Sequence, residues 1–259
     1  MPVQVNVGDE RRTIAERGCI IRTLVGSGLH GLALEGADDR DEMGVYIEPP
    51  EFVVGLERFE HFVYRTQPEG VRSRAGDLDV VLYCLRKYAR LALAGNPTVL
   101  LVLFAPPECI SVSTPLGLRL QGMAPALISR QASEKFLGYL RAQRERLVGE
   151  RGQMRVWRPD LVRRYGYDTK YAMHMLRLGH QGKELLETGH ITLPMPEPTR
   201  SHLLDVRQGQ LPLSDVLREA EELEAALKDL QSTSPLPAEP DRAEVNRFLA
   251  EAYRAAWAW

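Results

Sequence analysis

Residues 19–31, CIIRTLVGSGLHG, and residues 38–47, DDRDEMGVYI, decide how the rest of the chain is read. The first begins with CIIRTLV, an apolar run rich in β-branched types, which predicts a buried strand. It breaks at GSGLHG into a glycine-rich turn, where glycine reaches backbone conformations closed to other residues. The second leads into another strand, MGVYIE, stopped by Pro49 and Pro50. Asp39 and Asp41 stand two apart at its entry, so in extended chain both project from one face.

Two carboxylates held side by side repel each other unless a cation lies between them. Hard oxygen donors of this kind suit Mg²⁺, or Mn²⁺, which keeps waters and completes its shell with substrate phosphates. The turn has a matching use. Gly26 lets the backbone approach a phosphate, and Ser27 offers a hydroxyl and an amide to its oxygens. A two-ion site, with ions roughly 3.5–4 Å apart, needs a third carboxylate on a neighbouring strand. Asp77 and Asp79, in DLDVVLY, are the candidates. Asp79 is preferred because it lies nearer the strand centre, and Asp77 remains the alternative. Neither the GxGxxG nor the GxxxxGK[ST] phosphate loop is present.

Working outward, residues 10–17 predict a short N-terminal helix. Residues 59–65 predict an edge strand and residues 77–82 another strand. LRKYARLALA, at 85–94, has apolar residues at helical spacing and ends at Gly95. TVLLVLFAPPE, at 98–108, fits either a buried strand or a short helix. From about residue 125 the pattern is helical, with segments at 130–149, 168–188, 214–231 and 241–258. The expected fold is α+β: a mixed-sheet catalytic domain over residues 1–125, then a helical substrate- or nucleotide-binding domain over 126–259.

The chain has 259 residues, 44% hydrophobic and 26% charged, which excludes a disordered or fibrous protein. No apolar run is long enough to span a bilayer, so no membrane partner is expected. MPVQVNVGDERR has no apolar signal-peptide core, and Cys19, Cys84 and Cys109 lack metal-knuckle spacing. Reduced thiols in a cytoplasmic protein are expected. Net charge is −2, yet residues 130–183 carry 13 basic and 5 acidic side chains. Such a block favours polyanions, among them nucleic acid and triphosphate. Within it, Lys170, His174 and Arg177 fall on one helix face by their i, i+4, i+7 spacing, and Asp168 is a fitting N-cap. Arg163 and Arg164 with Tyr165 and Tyr167 could stack a base or serve packing. Trp157, Trp257 and Trp259 read as packing residues.

With these residues in view, LVGSGLHG followed by DDRDEMGVYI resembles the GS…DxD signature of the DNA polymerase β superfamily of nucleotidyltransferases. The wider chain is similar to the RNA-repair-pathway DNA polymerase β family. The likeness runs through 82–108, YGYDTKYAMHMLRLGHQGKELLETGHITLP at 165–194, and LLDVRQGQL at 203–211. The resemblance implies a polymerase β-like catalytic fold that moves a nucleoside monophosphate from an NTP, such as ATP, to an acceptor hydroxyl. It implies Asp39, Asp41 and Asp79 as catalytic ligands of two Mg²⁺ or Mn²⁺ ions, and Gly26 and Ser27 as holders of the triphosphate. The nucleotide-binding set is completed by His30, standing where relatives often have arginine, and by Lys170, His174 and Arg177. The family name implies an RNA or tRNA end as acceptor. Transfer to a small molecule or a protein side chain is the alternative, and a non-catalytic NTP- or RNA-binding module a third.

Overall fold

The computed structural model describes residues 7–34, 40–68, 71, 76–149 and 158–258. Helix α1 (Val7–Arg17) leads into strand β1 (Cys19–Leu24) and the short helix α2 (Gly26–His30). Strand β2 (Arg40–Tyr46), helix α3 (Glu51–Val54), strand β3 (His61–Arg65) and strand β4 (Leu78–Cys84) follow. β4 runs directly into α4 (Leu85–Leu93), and α5 (Pro97–Phe104) precedes β5 (Ile110–Ser113). The remainder is helical: α6 (Pro115–Gly122), α7 (Ala124–Leu127), α8 (Ala132–Leu147), α9 (Pro159–Tyr165), α10 (Thr169–Thr188), α11 (Thr199–Arg207), α12 (Leu213–Thr233) and α13 (Arg242–Trp257). The α+β class expected from the sequence is the observed one.

The strands form one sheet in the order β3-β4-β2-β1-β5. Only the β2–β4 pair is parallel; the others are antiparallel. Parallel pairing needs a crossover, and α3 with β3 supplies the intervening chain. β1 is an interior strand between β2 and β5 and is mostly buried, as its apolar run demands. β3 alternates exposed and half-buried residues, the pattern of an edge. Tyr46, Phe59, Val80, Leu82 and Cys84 form a core cluster with Ala15 and Cys19. The Tyr46 hydroxyl, buried there, donates to the Phe59 carbonyl at 2.6 Å. The segment read as either strand or helix at 98–108 is the helix α5. Pro97 opens it, and the Asn96 Oδ1 accepts from the Thr98 amide at 3.0 Å.

The chain divides into two compact units. The sheet unit comprises residues 1–93, 99–127 and 241–259, and the helical unit residues 94–98 and 128–240. The last helix belongs to the sheet unit rather than to the helical one. The reason is a stripe of buried residues on α13, Val245, Phe248, Ala252 and Tyr253. Tyr253 donates from its hydroxyl to the Glu48 Oε2 at 2.9 Å and accepts from the Arg86 amide at 3.1 Å. Trp257 donates from Nε1 to the Glu48 carbonyl at 3.0 Å, a packing role as the sequence suggested. Trp157 and Trp259 lie outside the described residues.

In the helical unit α10 packs against α8, α12 and α11. Gly179 and Gly182 let the neighbouring helices approach closely. A Cβ at Gly182 would fall 2.7 Å from the Phe136 ring of α8, and one at Gly179 2.6 Å from Leu223 of α12. Asp168 caps α10 by accepting from the amides of Lys170 and Tyr171 at 3.0 and 3.1 Å, a contribution of about 1 kcal/mol. Among the described residues no helix is long and apolar enough to cross a membrane.

Candidate active site

The run GSGLHG is the helix α2 rather than an open turn. Gly26 takes φ +69°, a left-handed conformation that favours glycine, and Gly31 closes the helix in the same region. β1 hands its chain to β2 here, with the Val25 amide donating to the Asp41 carbonyl at 2.8 Å. A Cβ at residue 26 would stand 2.4 Å from the Asp41 Oδ2, so the bare Gly26 backbone is what lets that carboxylate lie against α2. Ser27 is half-buried beside it, its carbonyl accepting from the Leu32 amide at 2.9 Å. His30 is buried, only 2% exposed, and so sits deeper than Asp41.

β2 and β4 pair in register with Asp41 opposite Asp79. Partners on parallel strands project to the same side of a sheet, so these carboxylates share one face. Antiparallel pairing of β3 puts Arg65 opposite Asp79 in the same row. Arg65 Nε stands 3.7 Å from the Asp79 Oδ1, which also accepts from Gln67 Nε2 at 2.8 Å. Asp77 is half-buried and precedes the strand; its Oδ1 accepts from the Thr66 hydroxyl at 3.1 Å. Asp39 lies outside the described residues.

Glu42, the remaining acid of the DRDE run, points to the opposite face and is nearly buried. It is paired with Arg22 and with Arg40, the latter at 2.7 Å. Its role is to neutralise those arginines within the sheet. Nothing in the local spelling distinguishes Glu42 from its neighbours; only its position on the strand does.

Asp41 and Asp79 fit a divalent cation by their chemistry: two hard-oxygen donors brought together on one face, with an uncluttered backbone at Gly26. Among the described residues no three His, Cys, Asp or Glu side chains are assembled as a metal site.

The stripe expected on the long helix is present on α10. Lys170, His174 and Arg177 are half-buried, and Arg177 Nη1 donates to Gln181 Oε1 at 2.9 Å. Burial lowers the Arg177 pKa to about 10. Burial, reinforced by the positive charges of Arg177, Lys170, Arg158 and Arg207, holds the His174 pKa well below its usual value, so this ring is neutral near pH 7. Arg158 and Arg207 went unrecognised in the sequence. Arg158 Nη1 pairs with Asp168 at 3.3 Å, and Arg207 Nη1 donates to the Thr169 hydroxyl at 3.3 Å. Their distance along the chain from α10 leaves no spacing signal; Arg158 stands at the N-cap of α9 and Arg207 on α11. Tyr167 is buried, donating to the Leu211 carbonyl at 2.8 Å, which is a packing role. Arg164 lies over the Tyr165 ring at 5.0 Å.

Residues 9–251 match the model of the RNA repair pathway DNA polymerase beta family. Among curated proteins none matches. A solved structure, a nucleotidyltransferase-like protein from Exiguobacterium sibiricum, is similar at 13% identity over 96% of this chain and 80% of that one, with a TM-score of 0.29.

Proposed function

Since the chain belongs to the RNA repair pathway DNA polymerase beta family and is thereby a nucleotidyltransferase, we propose that it transfers a nucleoside monophosphate from an NTP to the hydroxyl of an RNA or tRNA end, releasing pyrophosphate. The observation that carries this reading is the pairing of Asp41 with Asp79 beside the bare backbone of Gly26.

In this reading Asp39, Asp41 and Asp79 hold two divalent ions. When bound, the ions lower the pKa of the acceptor hydroxyl and offset charge on the triphosphate. Gly26 and Ser27 receive the triphosphate, the first by leaving room and the second through its hydroxyl. The acceptor oxygen attacks the α-phosphorus in line, the bond to the pyrophosphate oxygen breaks, and the hydroxyl proton leaves to solvent. Lys170, His174 and Arg177 bind phosphate in the helical unit. His30, the last residue of α2 and buried, completes the nucleotide-binding set in this reading.

The cationic block 130–183 favours a polyanionic acceptor over a small molecule. Cys19, Cys84 and Cys109 are free thiols, and burial raises Cys19 to about 11 and Cys84 to about 12, which suits a packing role in a cytoplasmic protein.

The test is transfer from each of the four α-³²P-labelled NTPs to total tRNA with Mg²⁺ or Mn²⁺. It compares wild type with the Asp39→Asn/Asp41→Asn double variant. Label in RNA that the variant loses is the expected result and names the base. Full transfer by the variant overturns the mechanism. Absence of label in RNA with intact NTP binding overturns the choice of acceptor.

A further inference from the structure

The face of the sheet that carries Asp79 continues beyond it as an apolar and aromatic strip. Asp79, Val81 and Tyr83 project from one side of β4, and Arg65, Val63 and His61 of β3 stand opposite them in turn. The other side of β4 goes to the core through Val80, Leu82 and Cys84. Among the described residues the strip is partly open: Val63 is 48% exposed, His61 and Arg65 are exposed, and Val81 and Tyr83 are half-buried. One exposed apolar side chain is ordinary. Here Val63 faces Val81, and the His61 and Tyr83 rings lie side by side, with centroids 6.3 Å apart and planes inclined by 29°. A cation borders the strip at each end. Lys87 Nζ stands 5.6 Å from the centre of the Tyr83 ring, 3.2 Å from His61 Nδ1 and 3.9 Å from Glu60 Oε2. Arg65 Nε stands 3.7 Å from the Asp79 Oδ1.

Sheet order decides which reactant can reach this strip. Gly26 lies against Asp41 on the β1 side of the acidic pair, whereas β3 lies on the Asp79 side. In-line transfer puts the attacking and leaving oxygens on opposite sides of the α-phosphorus. With the triphosphate held at Gly26, the acceptor approaches from β3. At about 3.3 Å per residue Tyr83 lies about 13 Å from Asp79 along β4, so the rings meet the acceptor behind its reacting end.

We propose that His61, Val63, Val81 and Tyr83 carry the terminal nucleotides of the acceptor RNA, with bases packed on the rings and on Val63, and with Arg65 and Lys87 at the phosphates; the assignment rests on the proposed transfer to an RNA end. Aromatic platforms take any base, because every base has a π-face. Both cations already have a carboxylate nearby. An ammonium has three N–H donors and a guanidinium five, so a phosphate adds a partner without displacing one.

The test is fluorescence anisotropy on the full chain in EDTA at low salt. The probe is a short single-stranded RNA labelled at its 5′ end and bearing a free 3′ hydroxyl. This readout needs neither metal nor transfer. His61→Ala and Val63→Asp alter exposed side chains of an edge strand, so the fold should survive them. Each should raise the Kd for RNA at least about fivefold. Leu118→Asp makes the same charge change at a position 55% exposed on α6, which follows the opposite edge strand β5, and should leave the Kd unchanged. Calorimetry with ATP and Mg²⁺ should give one affinity for all four proteins.

RNA binding that the strip variants weaken, without any transfer by the wild type, would support the strip and overturn the transfer reading instead. Absence of RNA binding by the wild type overturns the strip. So does a Kd unchanged in both strip variants, or raised as much by Leu118→Asp. Loss of ATP affinity in the strip variants would make this surface part of the nucleotide site and overturn its assignment to the acceptor. A change of oligomeric state in Val63→Asp, with the Kd for RNA unchanged, would show that β3 pairs with a second copy of the chain.

Discussion

Gly26 and Asp41 touch so closely that a Cβ on residue 26 would fall 2.4 Å from the Asp41 Oδ2. The obstructing atom is the free end of a side chain, so Asp41 can swing away from an intruding methyl. Gly26→Ala should therefore cost little stability, about 1 kcal/mol for the φ of +69°, or about 2–4 °C in Tm. The displaced carboxylate should matter far more. Mn²⁺ affinity and transfer rate should each fall by at least about tenfold. A calorimetric Mn²⁺ titration beside a thermal melt separates the two effects. Unchanged Mn²⁺ affinity would show that Asp41 does not use this position to bind an ion.

Asp77 and Asp79 can be told apart by substitution. Asp79 stands opposite Asp41 in the parallel pair, whereas Asp77 precedes the strand and accepts from the Thr66 hydroxyl there. Asp79→Asn should reduce transfer by about a hundredfold or more, and Asp77→Asn by less than about threefold. Single-turnover rates at saturating NTP and metal measure both. The reverse order would make Asp77 the third ligand.

The sheet is legible in the sequence because β1 reads as a continuous apolar run and β3 alternates along its length. Asp41 and Asp79 face each other through the parallel register of β2 and β4, which alternation within one strand does not fix, and Asp39 lies outside the described residues. Other features depend on distant contacts. The run around Val99–Phe104 is apolar all round, so periodicity does not distinguish helix from strand there; the Asn96 Oδ1 that accepts from the Thr98 amide, with Pro97 in the first turn, favours the helix. Arg207 reaches the α10 stripe from α11, and α13 returns to the sheet unit through Tyr253 and Trp257. A composition change at residue 125 cannot reveal a helix that crosses back.

That returning helix is fastened by a buried polar contact. Tyr253 donates to Glu48, a residue 1% exposed, and accepts from the Arg86 amide. Tyr253→Phe keeps the ring packing but leaves a buried carboxylate and an amide each short of a partner. The expected loss is about 1.5–3 kcal/mol. Urea unfolding, monitored by tryptophan fluorescence, should show a lower midpoint. An unchanged midpoint would mean that water replaces the hydroxyl without cost.

Two glycines in the helical unit should respond in opposite senses. At Gly182 of α10 a methyl would collide with Phe136, which is fully buried and has no room to retreat. Gly182→Ala should destabilise by about 1–2 kcal/mol after its gain in helix propensity is subtracted. Gly138 of α8 is exposed, and a Cβ there meets nothing within 4 Å. Gly138→Ala should stabilise by about 0.5–1 kcal/mol. Thermal melts of the two variants test both signs, and stabilisation by Gly182→Ala would deny the close approach of α8 and α10.

Glu219 of α12 joins three helices by accepting from Nε2 of His180 on α10 and of His202 on α11, each at 2.7 Å. Burial pushes its pKa up, but the two imidazole hydrogen bonds outweigh that effect and hold it below its ordinary 4.5. A carboxylate whose folded pKa is depressed contributes stability that is complete above the unfolded value. That stability is lost as the pH falls through the folded one. The wild type should therefore lose stability below about pH 4.5 more steeply than Glu219→Gln. The variant should already be weaker near neutral pH, by about 1.5–3 kcal/mol for hydrogen bonds to a charged group. Unfolding free energies measured across the acid range should give two curves that converge at low pH. Parallel curves would mean that Glu219 titrates alike in the folded and unfolded chain, and that the three helices are held by their apolar contacts alone.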